Sequence, residues 1–165
     1  MKDKAASPTK PAGFDVVIDD ERWIKALGDA HALAASCIAA AAALEPGVKG
    51  AAALLLADDA ALQDLNRRFR DKDEPTNVLS FPAGEGAEGF LGDIAIAFET
   101  CRREAEEQGI AFRDHAAHLI VHGLLHLVGW DHEADDEADR MERLETRILA
   151  TLGVDDPYRA DAARP

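Results

Sequence analysis

The chain has 165 residues, 47% of them hydrophobic and 30% charged, with a formal net charge of −14. That length fits one domain with one contiguous core, and the apolar fraction excludes an intrinsically disordered protein despite the charge. The acidity excludes a protein that coats nucleic acid through a large basic face, but leaves room for a local basic patch.

Residues 1–12 carry three lysines and two prolines among small residues, and read as a flexible tail. No apolar stretch follows those lysines, so no secretory signal is expected. Phe14–Asp19 is a short β-rich run, and Asp19 or Asp20 is placed to cap a long helix reaching about Leu44, where Pro46-Gly47 stop it. The apolar run Ala32–Leu44 within it is mostly alanine and falls short of the ~18–20 residues a bilayer span needs, so no membrane association is expected. Val48–Ala57 reads as a buried strand. Asp58-Asp59 cap a second helix in which Ala61, Leu62, Leu65 and Phe69 recur at helical spacing.

After Arg70 comes the polar loop DKDEPT, then a strand over Asn77–Phe81 stopped by Pro82. The following AGEGAEG has neither the lysine nor the helix start of a phosphate-binding loop. Phe90–Phe98 is strand-like, and helices are expected over about Glu99–Gln108 and Arg113–Val128, with Gly129 as the terminating glycine of the latter. A last helix over Glu133–Leu152 places Met141, Leu144, Ile148 and Leu152 on one face. Residues 154–165 read as a loose tail, so the single domain spans 13–153. Strands interleaved with helices predict an α+β fold, a small mixed β-sheet packed with helices. Cys37 and Cys101 lie far apart without CxxC spacing, which makes a reducing, cytoplasmic location the expectation.

Three of the six histidines fall in HGLLHLVGWDH, as His122, His126 and His132. Four residues apart on an apolar helix, His122 and His126 lie about 40° apart on one face. Gly129 lets the chain leave the helix in a left-handed conformation, and the return through Trp130-Asp131 brings His132 back. Three neutral imidazoles with an open fourth position describe a catalytic zinc site, whose bound water has a pKa near about 7. One Zn²⁺ per chain is therefore expected. The spacing is also that of the metzincin motif HExxHxxGxxH, with Gly123 where the protease general base stands. The fold expected is thus a zincin- or metzincin-like core with a central metal-binding helix.

HGLLHLVGWDH closely resembles the signature of the YbeY endoribonuclease family, usually written HGxLHLxGYDH. LNRRFRDKDEPTNVLSFP (Leu65–Pro82) and LGDIAIA (Leu91–Ala97) resemble that family's other hallmark segments. The resemblance covers about residues 14–152; Trp130 replaces the usual tyrosine and the N-terminal tail is an addition. It implies a metal-dependent endoribonuclease that prefers single strands and acts in rRNA maturation (16S 3′ end) and ribosome quality control. It also implies zinc on His122, His126 and His132, an activity-related role for Arg70, an rRNA substrate, and ribosomal or ribosome-associated protein partners.

Residues 66–72 hold four cations against one acid, the densest basic cluster in the chain. Arg70 and Lys72 are expected beyond the helix, in the loop, where a guanidinium can fork onto phosphate oxygens. Arg67, Lys72 and Asn77 are candidate substrate contacts, with Thr76 and Ser80 as turn or edge residues that can do the same. Asp131 and His118 are candidates to support the metal ligands from behind. His115 and His31 read as surface residues, and Cys37 as core. Two other readings stand beside the nuclease: a metzincin-like zinc hydrolase or peptidase, and a non-enzymatic ribosome-associated factor with a structural metal.

Overall fold

A computed structural model describes residues 13–84 and 86–158 of the chain. The tail expected over residues 1–12 lies outside them. The elements run β1 (Gly13–Ile18), α1 (Arg22–Leu27), α2 (Ala30–Leu44), β2 (Ala51–Ala57), α3 (Asp59–Arg70), β3 (Val78–Pro82), β4 (Phe90–Ala97), α4 (Phe98–Gln108), α5 (Phe112–Leu127) and α6 (Asp135–Thr151). The strands form one mixed sheet in the order β1-β2-β4-β3. β1, β2 and β4 are mutually parallel; α1 and α2 join β1 to β2, α3 joins β2 to β3, and β3 pairs antiparallel with β4 across the glycine-rich connection. This is the α+β class with a small mixed sheet that the sequence predicts.

Period-two alternation sorts the strand side chains onto two faces. Ala52, Leu54 and Leu56 of β2 join Ile94 and Ile96 of β4 in the main core, against α2, α5 and α6. On the other face, Ala57, Leu79, Ala95 and Ala97 receive Leu62 of α3. α5 is apolar nearly all round, and ten of its sixteen residues are buried, as befits a helix running through a core. Alanines in α2 let it approach α5 closely, and Cys37 is fully buried there, as expected.

The structure departs from the sequence expectations at three places in the framework. The single helix expected up to Leu44 is two: Gly28, at φ +75°, ends α1, and the Asp29 carboxylate accepts the Ala32 amide at 2.9 Å to start α2. Phe69 is exposed and rests edge-on against Phe81 rather than entering the core. Residues 154–158 are not loose: Val154 is buried, and the Tyr158 hydroxyl donates to the buried Glu145 carboxylate on α6. An apolar side chain and a hydroxyl partner both hold that segment, and neither follows from its local composition.

Candidate metal centre

The C-terminal half of α5 carries His122 and His126 to the edge of the sheet beside β3. There the helix is pressed close to β4: a Cβ added at Gly123 would stand 2.9 Å from the Ile94 side chain. A side chain at this position would therefore force either Ile94 or the helix to shift. α5 ends at Leu127, and Gly129 adopts φ +101°, the left-handed turn required of it. The turn is pinned by Trp130, whose indole N–H donates to Glu45 Oε2 at 2.6 Å, while Glu45 itself caps the end of α2. His132 follows directly.

The consequence is convergence. One ring nitrogen from each of His122, His126 and His132 lies within 4.8 Å of the others. The Nε2 atoms of His122 and His126 are 3.1 Å apart. Two nitrogens held at 2.0–2.1 Å in a tetrahedron would stand about 3.3–3.4 Å apart, so the pair is spaced for a shared cation. Burial first, then the neighbouring His122 and His132, push the His126 pKa below the usual histidine range. A neutral ring offering its lone pair is what ligation needs. Among the described residues the group holds three imidazoles and no fourth protein ligand, a donor set that fits a metal ion with an open coordination position.

Behind the cluster stands a residue that sequence reasoning missed. Glu145 of α6 is fully buried, and its Oε2 lies 2.7 Å from Nδ1 of His122. Its Oε1 meets Nε2 of His118 at 3.0 Å and accepts the Tyr158 hydroxyl. Burial opposes its ionisation, yet the hydrogen bonds from His118 and His122 hold its pKa down at about 2. The signal was present: a glutamate between Leu144 and Ile148 on an otherwise apolar helix face asks for buried partners. Asp131, expected behind a ligand ring, instead accepts the backbone N–H of His132 at 2.6 Å, so it shapes the turn that delivers that ligand.

The histidines open onto a cleft of about 820 Å³ whose opposite wall is the segment from the end of α3 to β3. Arg70, Lys72 and Asn77 line it, with His122, His126 and His132 across from them. Arg70 is the last residue of α3 rather than a loop residue; the helix continues to it because Asp71 takes the left-handed capping conformation. Its guanidinium donates to the Ser80 carbonyl and lies 5.0 Å from the Phe81 ring centre. Ser80 in turn reaches the Gly123 carbonyl at 3.4 Å, a short path from the arginine to the ligand helix. Arg67 is outside the cleft, paired with Asp64 at 2.5 Å on the exposed side of α3. Asn77 has its amide nitrogen committed to Glu104, at 3.1 Å.

His115 corrects the surface expectation: it is buried, its Nε2 2.8 Å from Glu104, while His31 is exposed as expected. The helical period places His115 on the same strip as His118 and His122, and the strip goes from buried at His115 to half-buried at the other two.

The family model described as Endoribonuclease YbeY matches residues 17–153. A Maricaulis maris protein named Endoribonuclease YbeY is 47% identical, over 87% of this chain and 90% of its own. One of the same name from Azorhizobium caulinodans is 50% identical, over 90% and 98%. The solution structure of TM1509 from Thermotoga maritima superposes with a TM-score of 0.55 at 20% identity, covering 93% of this chain and 99% of that one. With a family model matching residues 17–153 and relatives 47% and 50% identical over most of both chains, the chain belongs to the YbeY family.

Proposed function

We propose that the protein is a zinc-dependent endoribonuclease that cuts single-stranded RNA, acting in rRNA maturation at the 16S 3′ end and in ribosome quality control, with one zinc per chain. The observation that carries this reading is the cleft itself: three imidazoles converge on one wall, and Arg70 and Lys72 stand on the other. When bound, zinc supplies Lewis-acid stabilisation of phosphate charge and an acidified water. His122, His126 and His132 hold it. Arg70 binds a phosphate oxygen and stabilises the negative charge that grows in the transition state, its side chain kept in place by Ser80 and Phe81. Lys72 adds a compact positive charge to steer the RNA backbone into an otherwise acidic protein. The shared name of the relatives supports the RNA substrate.

The peptidase reading has no support from the site. Gly123 occupies the position of the protease base, so the general-base carboxylate of that motif is missing, and a side chain there would crowd Ile94. Purified rRNA fragments and casein, each incubated with zinc-loaded and chelated protein, test the reading. RNA cleavage by the loaded protein alone, with casein intact, is expected. Metal-dependent proteolysis without RNA cleavage would overturn it.

A further inference from the structure

Glu145 lies in the middle of an apolar face: Met141, Leu144, Ile148 and Leu149 around it are all buried. A carboxylate with no water to solvate it survives there only if donors meet its oxygens. It has three donors, and each comes from a different place: His122 and His118 one turn apart on α5, and Tyr158 from beyond α6. A carboxylate only accepts, so both rings must present N–H to it. His122 therefore carries its proton on Nδ1, and its Nε2 turns a lone pair toward Nε2 of His126, 3.1 Å away.

The same logic separates His118 from the cluster. Its Nε2 is taken by Glu145, and its Nδ1 is buried with no partner, away from any second ligand. One carboxylate thus makes one histidine of the strip ready for a cation and withdraws its neighbour one turn earlier.

We infer that Glu145 is a positioning residue of the histidine cluster, fixing His122 in the tautomer and ring orientation that a metal requires and holding His118 out of the ligand set. This rests on the metal-site reading above. A carboxylate behind a ligand imidazole is worth about 10–100-fold in metal affinity, and Tyr158 makes the C-terminal segment part of that support.

Two measurements test it separately. In metal-free protein labelled with ¹⁵N-histidine, long-range ¹H–¹⁵N spectra read each ring's tautomer, with the His122 signal assigned by its loss in His122→Asn. Zinc titration against a chromogenic chelator reads affinity. Wild-type protein should show His122 protonated on Nδ1. Glu145→Leu should shift His122 toward the other tautomer and weaken zinc about 10–100-fold, and Glu145→Gln should recover part of the affinity. Unchanged tautomer and affinity in Glu145→Leu would overturn the inference while leaving zinc binding intact. If the wild type bound no zinc, the metal reading would fall, and the tautomer comparison would still decide the role of Glu145. If Glu145→Leu did not fold, Glu145→Gln decides: an amide cannot accept on both sides, so His118 or His122 must exchange its tautomer. Both rings unchanged would overturn the inference.

Discussion

Of the three histidine–glutamate contacts on α5, those of His115 and His122 differ in what the far side of the ring meets. His115 pairs with Glu104 at 2.8 Å, and its remaining nitrogen is buried without a partner. His122 pairs with Glu145 at 2.7 Å, and its remaining nitrogen faces His126 at the wall of an open cleft. Both are imidazole–carboxylate contacts, through Nε2 in His115 and Nδ1 in His122; the surroundings of the other nitrogen make one pair framework and the other a candidate metal centre. Glu104 also holds Asn77 at the start of β3, so the interior pair ties α4, α5 and the cleft-lining strand together. An imidazole–carboxylate contact alone therefore does not mark a ligand.

The largest expected effect breaks the comparison most directly. If the cluster holds zinc, His126→Ala should bring the metal content from about one per chain to none and RNA cleavage to background, because two imidazoles with no further ligand among the described residues do not retain it. His115→Ala should keep its metal. Elemental analysis of both variants reads the result, and equal metal loss in the two would mean that His115 and His126 serve the metal alike.

Next in size is the opposite wall. If Arg70 stabilises phosphate charge, Arg70→Ala should lower single-turnover RNA cleavage by about 10²–10³-fold. Arg70→Lys should recover only part of that, since an ammonium keeps the charge and loses the fork. Metal content should not change. Wild-type cleavage by Arg70→Ala would reject the role, and activity lost only in step with the thermal melt would make the arginine a brace for β3.

The sequence carried most of this because the decisive signals are local. Spacing on α5 and one glycine bring His122, His126 and His132 together, and strand alternation assigns the two faces of the sheet. What stayed hidden depends on contacts distant in the chain. Glu145 meets His122 across 23 residues, and Trp130 meets Glu45 across 85. Nothing in the neighbourhood of His115 says that Glu104 will cover it. The break between α1 and α2 is of another kind, since Gly28-Asp29 is itself a local stop-and-start signal that the structure obeys, masked in the sequence by the alanine-rich run that follows.

A smaller effect tests how the ligand helix is seated. Gly123→Ala puts a methyl 2.9–3.2 Å from three atoms of the buried Ile94 side chain. Overpacking of this kind costs about 1–3 kcal/mol, and since α5 would have to move off β4, zinc affinity should fall along with stability. Denaturant unfolding and zinc titration on the same preparations check both. Wild-type stability in the alanine variant would show that Ile94 gives way freely and that the close seating of α5 is not what keeps a side chain out of this position.

The smallest effect sharpens the comparison by pH. Burial works against ionisation of Glu104, but hydrogen bonds from His115 and Asn77 outweigh it and leave its pKa below the usual carboxylate range. A carboxyl whose pKa is depressed by folding stabilises the fold above its unfolded value, near about 4.3, and that contribution is lost as the pH falls toward the folded value. Glu104→Gln should therefore cost about 1.5–3 kcal/mol at neutral pH, the scale of hydrogen bonds to a charged group. It should also remove part of the acid sensitivity, so that wild-type and variant stabilities converge as the pH drops below about 4. Zinc affinity at neutral pH should be unaffected, because Glu104 touches none of the three ligands. Melts of metal-free protein across pH 3–7 give the answer. Parallel curves would mean that Glu104 holds no special protonation in the fold, and a matching loss of zinc affinity would mean that the framework pair and the ligand pair act as one unit.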